Sequence, residues 1–232
     1  MINKDFLVPK ARRSGDDEPY SNPKLSLIYG PTGSGKSVLL LNLLDHLQKL
    51  HDFDEALFVT GNGRDTLLDS IEMPITTNPS DLSTWITKVS QESKDNKPKY
   101  NLLVLDDIVG NPDFNVFTNR SDFVKFIVSH RHLGKVVKNG VERGGTWVIF
   151  TAQRFAGSFS PTIKDQINMW FLFSPRTQAE LKAIMTIGDE TLRMKKSMAL
   201  LKSEGKYQFL YINKDFTPFR YSLGFKDEIN LD

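Results

Sequence analysis

Apolar residues along this chain fall into two kinds of run, continuous and helically spaced, and the two kinds alternate. Continuous runs occur at residues 24–29 (KLSLIY), 56–60 (ALFVT), 102–106 (LLVLD), 146–151 (TWVIFT) and 168–173 (NMWFLF). Between them lie stretches with 3-4-3 spacing: Leu39, Leu40, Leu43, Leu44 and Leu47; then Leu82, Trp85, Ile86 and Val89; then Phe123, Phe126, Ile127 and His130. Strands that lack inside–outside alternation are apolar on both faces, and helices between them supply the cover. The pattern predicts an α/β fold with a mainly parallel central sheet flanked by helices. Ser80, after Pro79, is the expected cap of the second helix.

The last third reads differently. Helical stretches are expected near residues 177–185 and 192–201. Tyr207, Phe209 and Tyr211 then alternate, Asn213-Lys214-Asp215 supplies a turn, and Phe219 and Tyr221 follow, which predicts a β-hairpin with these aromatics on one buried face. Residues 1–23 are polar and broken by Pro9, Gly15, Pro19 and Pro23, as in an arm without its own core; residues 24–232 read as one domain. A Gly- and Lys-containing insert is expected at residues 134–145, between the third helix and the fourth strand.

Composition narrows the chemistry. The 232 residues contain no cysteine, which excludes disulfides, thiolate metal sites and a thiol nucleophile, and only four histidines. No apolar run reaches the ~18–20 residues of a membrane span. A hydrophobic fraction of 39% excludes a disordered chain. Net charge is only +2, yet Arg131, Lys135, Lys138, Arg143 and Arg154 face the single acid Glu142 over residues 130–154.

The sharpest motif is Gly30-Pro31-Thr32-Gly33-Ser34-Gly35-Lys36-Ser37, which fits G-x-x-x-x-G-K-[ST] between a strand and an amphipathic helix. A triphosphate needs many donors that cost no reorganisation. A loop with little side chain lets backbone N–H groups surround it, and the following helix points its positive end at the phosphates. Lys36 is expected to reach the β- and γ-oxygens of ATP, and the Ser37 hydroxyl to bind Mg²⁺. Asp106 ends the third apolar strand as the second Mg²⁺ partner, and Asp107, one residue on, is placed to polarise an attacking water. The fourth strand ends in an amide, Gln153. If that strand lies between the phosphate-loop strand and the Asp106 strand, Gln153 faces the γ-phosphate. Arg131, at the end of the third helix, is the candidate to complete a neighbouring subunit's site, with Arg143, Arg154 and Arg64 as alternatives.

Taken together, these residues resemble the FtsK–HerA superfamily of DNA-pumping ATPases. Arg131-His132-Leu133-Gly134 is similar to its Arg-x-x-Gly element, and Thr151-Ala152-Gln153-Arg154 to its Thr-Gln-Arg element. The small size and the Arg-His and Asp-Asp pairs resemble the viral genome-packaging branch, related to the poxvirus-type packaging ATPase. The resemblance implies a RecA-like sheet of order 5-1-4-3-2, ATP with Mg²⁺, a homo-oligomeric ring of five or six subunits, double-stranded DNA in its pore and docking to capsid proteins. It also implies location in the host cytoplasm or viral factory, or on the virion.

Lys135, Lys138 and Arg143 on the insert, or residues 110–120, are candidate contacts to the DNA backbone. Three other functions compete. A small-molecule P-loop kinase would need an acceptor pocket, whereas paired acids and a Gln-ending strand suit a water nucleophile. A GTPase would explain Asp107-Ile108-Val109-Gly110, but Asn213-Lys214-Asp215-Phe216 lacks the final acid of the guanine-reading motif. A nucleotide-gated structural subunit would tolerate loss of Lys36, Ser37, Asp106 or Asp107, and all four are present.

Overall fold

A computed structural model describes residues 23–50, 52–61, 71–92, 97–114, 120–138, 141–155, 159–188, 191–205, 207–225 and 229. Residues 1–22 of the expected arm, the alternative Arg64 and residues 115–119 of one candidate DNA-contacting segment lie outside the described residues.

The five predicted strands form as β1 (Leu25–Tyr29), β2 (Glu55–Thr60), β4 (Tyr100–Asp106), β7 (Gly145–Ala152) and β8 (Met169–Phe173). All are parallel, in the order β8-β1-β7-β4-β2, which is the 5-1-4-3-2 order the resemblance implied. Three further strands widen the sheet to eight. The two-residue β3 (Ile75–Thr76) pairs with β2 at one edge. At the other, β9 (Phe209–Asn213) runs antiparallel beside β8, and β10 (Arg220–Leu223) antiparallel beside β9.

That placement corrects the reading of the C-terminal aromatics. The hairpin does not stand apart with one buried face. β9 is an interior strand, so Leu210 and Ile212 are buried as completely as Phe209 and Tyr211. Tyr221 is also buried and Phe219 partly so, but Tyr207 precedes the strand and is 67% exposed.

Each face of the sheet has its own core. One face, with Ile28, Phe58, Leu102, Val104, Trp147, Ile149 and Phe171, packs against the leucine stripe of α1 (Lys36–Leu50). The other face presents Leu27, Val59, Leu103, Leu105, Val148 and Phe150. It is covered by α2 (Pro79–Glu92), α3 (Ser121–Ser129), α4 (Pro161–Gln166), α5 (Gln178–Ile184) and α6 (Thr191–Ser203). Adjacent residues on a strand enter opposite cores, as Leu27 and Ile28 do, which is why no strand shows a polar side. The cap of α2 is Asn78 rather than Ser80: its Oδ1 accepts from Ser80 N at 3.0 Å, placing Pro79 at the first helical position, where its missing N–H costs nothing.

The insert folds as a small antiparallel hairpin, β5 (Val136–Lys138) and β6 (Val141–Arg143). It is rooted at the start of β7, where Lys99 N donates to Gly134 O and Gly145 N to Lys99 O, both at 2.8 Å.

Candidate active site

The phosphate-loop motif fills the turn from β1 into α1. Gly30 N donates to Ala152 O at 3.1 Å, tying the loop's first residue to β7. A Cβ at Gly30 would lie 2.5 Å from Ser34 Oγ and 2.8 Å from Phe173 Cβ, so only glycine fits. Gly33 and Gly35 take φ of +74° and +105°, the left-handed turns of a loop that folds around an anion. Ser34 N donates to Pro31 O at 3.2 Å, and Leu39 N to Gly35 O at 3.0 Å opens α1. Thr32 is exposed at the rim, and Ser37 is exposed one residue into the helix.

Lys36 is only 8% exposed, and its Nζ donates to Pro31 O at 3.3 Å. Burial lowers its pKa from the ordinary lysine value. The charges of Asp107 and Asp106 oppose that shift and Arg176 reinforces it. The ammonium and both carboxylates therefore share one electrostatic site.

The strand ends converge because the register aligns them: Tyr29 lies opposite Ala152, and Thr60 opposite Asp106. Thr151 Oγ1 donates to Asp106 Oδ1 at 2.5 Å and accepts from Asp107 N at 3.0 Å, so one hydroxyl fixes both acids. Burial raises the Asp106 pKa, and Asp107 adds to the rise; hydrogen bonds from Thr151 and Thr60 and the charge of Lys36 hold it down. Asp107 adopts φ +49°, a strained backbone for a residue with a side chain, at the point where the chain leaves β4. Gln153 bridges the site: its Nε2 donates to Asp107 Oδ2 at 2.6 Å, and its Oε1 accepts from Thr32 Oγ1 at 2.8 Å.

Arg131 is placed elsewhere. It is exposed in the short 3-10 turn His130–His132, at the start of β7. Leu133 O accepts from Thr146 Oγ1 at 3.2 Å, and a Cβ at Gly145 would come 2.9 Å from Arg131 O. Roughly 20–25 Å of strand separates that end from Gln153. Among the alternatives, Arg143 also lies at that far end, in β6, while Arg154 follows Gln153 directly and is exposed.

Three contributors escaped sequence reasoning. Arg176 Nη2 donates to Thr32 O at 2.7 Å, gripping the loop from the segment after β8. A basic residue just past the fifth strand was visible; the 5-1 adjacency that makes it relevant is a property of the sheet. Thr60 likewise read as an ordinary strand residue, and Thr151 only as the start of the Thr-Gln-Arg-like element, until register sets them beside Asp106.

The residues present fit a polyphosphate with a divalent cation. Gly30 leaves a cradle that a side chain would fill, the Ser34 hydroxyl is buried without a hydrogen-bond partner, and Lys36 is a buried cation. Among the described residues no cluster of three or more His, Asp or Glu could hold a metal alone. Ser37 and Asp106 suit Mg²⁺, which commonly takes its other oxygens from phosphate and water.

The fold itself is a known one. Over 89% of this chain and 100% of theirs, it superposes on the genome packaging NTPase B204 of Sulfolobus turreted icosahedral virus 2, bound to ATP-gammaS, with a TM-score of 0.61 at 16% identity. The DNA-packaging ATPase B204 of Sulfolobus Turreted Icosahedral Virus gives 0.60 at 18%, over 90% and 100%. This chain has the fold of those ATPases. The pCW3 conjugation coupling protein TcpA, bound to ATPgS, shares it at a TM-score of 0.58 and 18% identity, over 89% of this chain and 62% of that one. No family model and no curated protein matches by sequence. The mainly parallel α/β fold that the resemblance implied is the fold these structures share with the chain. No described helix is long and apolar enough to cross a membrane.

Proposed function

We propose that this chain is an ATPase that uses ATP hydrolysis to drive double-stranded DNA into a viral capsid, acting as a homo-oligomeric ring of five or six copies. The observation that carries the proposal is the polar chain Thr32–Gln153–Asp107, which links the phosphate loop to the carboxylate beside it. An acid held by a side chain that also senses the loop suits activation of a water at a γ-phosphate.

Each residue then has a role. The loop amides of residues 30–37 and the Lys36 ammonium bind the triphosphate, and that added negative charge offsets the burial that lowers the Lys36 pKa. Ser37 and Asp106 would hold Mg²⁺, which neutralises charge on the phosphate oxygens. Thr151 holds both acids in place, Asp107 orients and deprotonates water, and Gln153 couples the loop's state to β7. Arg176 positions Thr32. Arg131, distant from its own phosphate loop, completes the site of an adjacent copy. The β5–β6 hairpin brings Lys135, Lys138 and Arg143 to the Arg131 end of the sheet as candidate DNA contacts. Residues 24–232 form the ATPase domain, with residues 1–23 as an arm. Capsid protein is the further partner, and the host cytoplasm, viral factory or virion the place of action. The packaging and coupling ATPases with this fold support DNA as the cargo.

The test is the ATPase rate against protein concentration, with and without double-stranded DNA. A steep rise with concentration and stimulation by DNA is the expected result. A linear dependence with no DNA effect, or transfer of phosphate to a small acceptor instead of water, would sink the proposal.

A further inference from the structure

We infer that Tyr207 is the platform on which the nucleobase of the bound nucleotide stacks. The inference rests on the nucleotide-binding part of the proposed function and adds a subsite to it. The direction of the nucleotide follows from strand order. Asp106, Asp107 and Gln153 all lie on the β4 and β7 side of β1, so the γ-phosphate must point to that side. The nucleoside then leaves the loop on the opposite side, toward β8 and β9.

On that side the described residues present an unusual surface. The Tyr207 ring reaches the start of α1: its Cδ1 is 3.6 Å from where a Cβ of Gly35 would stand, beside Phe173 Cε1 at the same distance. Phe173 is buried, but Tyr207 is 67% exposed. Val38 lies three residues on from Gly35 along the helix, hence on a neighbouring face, and is 57% exposed. A scattered exposed aromatic needs no explanation. One that lies near the start of α1 at the phosphate loop and is two-thirds exposed offers an apolar ring where a base would arrive. Every base has a π-face, so such a platform binds without reading the base's edge.

The test compares MgATP and MgADP with inorganic tripolyphosphate, by calorimetry on the full chain. Tyr207→Ala should weaken ATP and ADP binding about tenfold or more, leave tripolyphosphate affinity unchanged, and be restored by Tyr207→Phe. Tyr207→Trp should keep ATP affinity, and its added indole emission should be quenched by ATP but not by tripolyphosphate. The position is exposed, so these variants should fold. Unchanged ATP affinity in Tyr207→Ala, or equal losses for ATP and tripolyphosphate, would overturn the platform and leave the ATPase reading standing. A wild-type chain that binds neither ligand would sink both.

Discussion

The two ends of the parallel sheet are built for different work. At the carboxyl end of the strands, polar groups are knitted to one another: Thr32 to Gln153, Gln153 to Asp107, Thr151 to both acids, and Arg176 to the loop. At the amino end, His130 is fully buried with its Nδ1 donating to Ile127 O at 2.7 Å, while Arg131 beside it is exposed. One residue anchors the turn and the next is presented outward. An end that converges on a cradle can act within its own chain, whereas an arginine held a strand's length away is out of reach of its own phosphate loop. The difference teaches that a complete-looking set of motifs in one sequence need not describe one site.

The strongest way to break this contrast is Arg131→Ala. Turnover should fall about a thousandfold or more with ATP affinity intact, and mixing with Lys36→Ala chains should restore part of it, because the two lesions sit in different halves of a shared site. No recovery on mixing would place Arg131 outside the mechanism. Next, Asp107→Asn should retain ATP binding and lose roughly 10²–10³ in hydrolysis, whereas Lys36→Ala should lose both, as read by calorimetry and phosphate release. Normal turnover in either variant removes that residue.

The amino end is sharpened by acid. Burial lowers the His130 pKa to about 4, with Arg131, His132 and Lys24 adding to the effect against the hydrogen bond to Ile127. Its Nε2 is buried without a partner, so the folded chain keeps the ring neutral. The unfolded chain takes up a proton below about pH 6.5, so stability should be fully present above that and fall toward pH 4, by about 2–3 kcal/mol. Urea unfolding across that range should show the slope in wild type and a flatter one in His130→Gln; equal slopes would contradict it. Smallest, Gln153→Ala should cost roughly tenfold in turnover and little in stability, since it removes a bridge between exposed groups. A loss as large as that of Asp107→Asn would instead mean that Gln153 itself handles the water.

Much of the molecule is legible in one dimension. Continuous apolar runs gave five strands within a residue or two of their observed limits, since a strand buried on both faces tolerates almost no polar residue. The leucines of α1 and the aromatics of α3 gave helices for the same reason. Tyr207 went astray because alternation with Phe209 and Tyr211 looks the same whether or not the strand extends that far. The insert's pairing was missed because its three-residue strands carry little periodic signal.

Residue order by itself determined the phosphate loop, the acid pair, the amide-ended strand and the layered architecture, because each is a local pattern enforced by burial or by backbone freedom. Only the tertiary structure decided that Thr151 braces both acids, that Arg176 grips Thr32, that Arg131 faces away from its own loop and that Tyr207 lies against Gly35. The contacts among them join residues from 44 to 172 positions apart, as between Asp107 and Thr151 or between Gly35 and Tyr207. Their proximity is fixed by strand order and register, which arise from packing of the whole sheet and leave no mark on neighbouring residues.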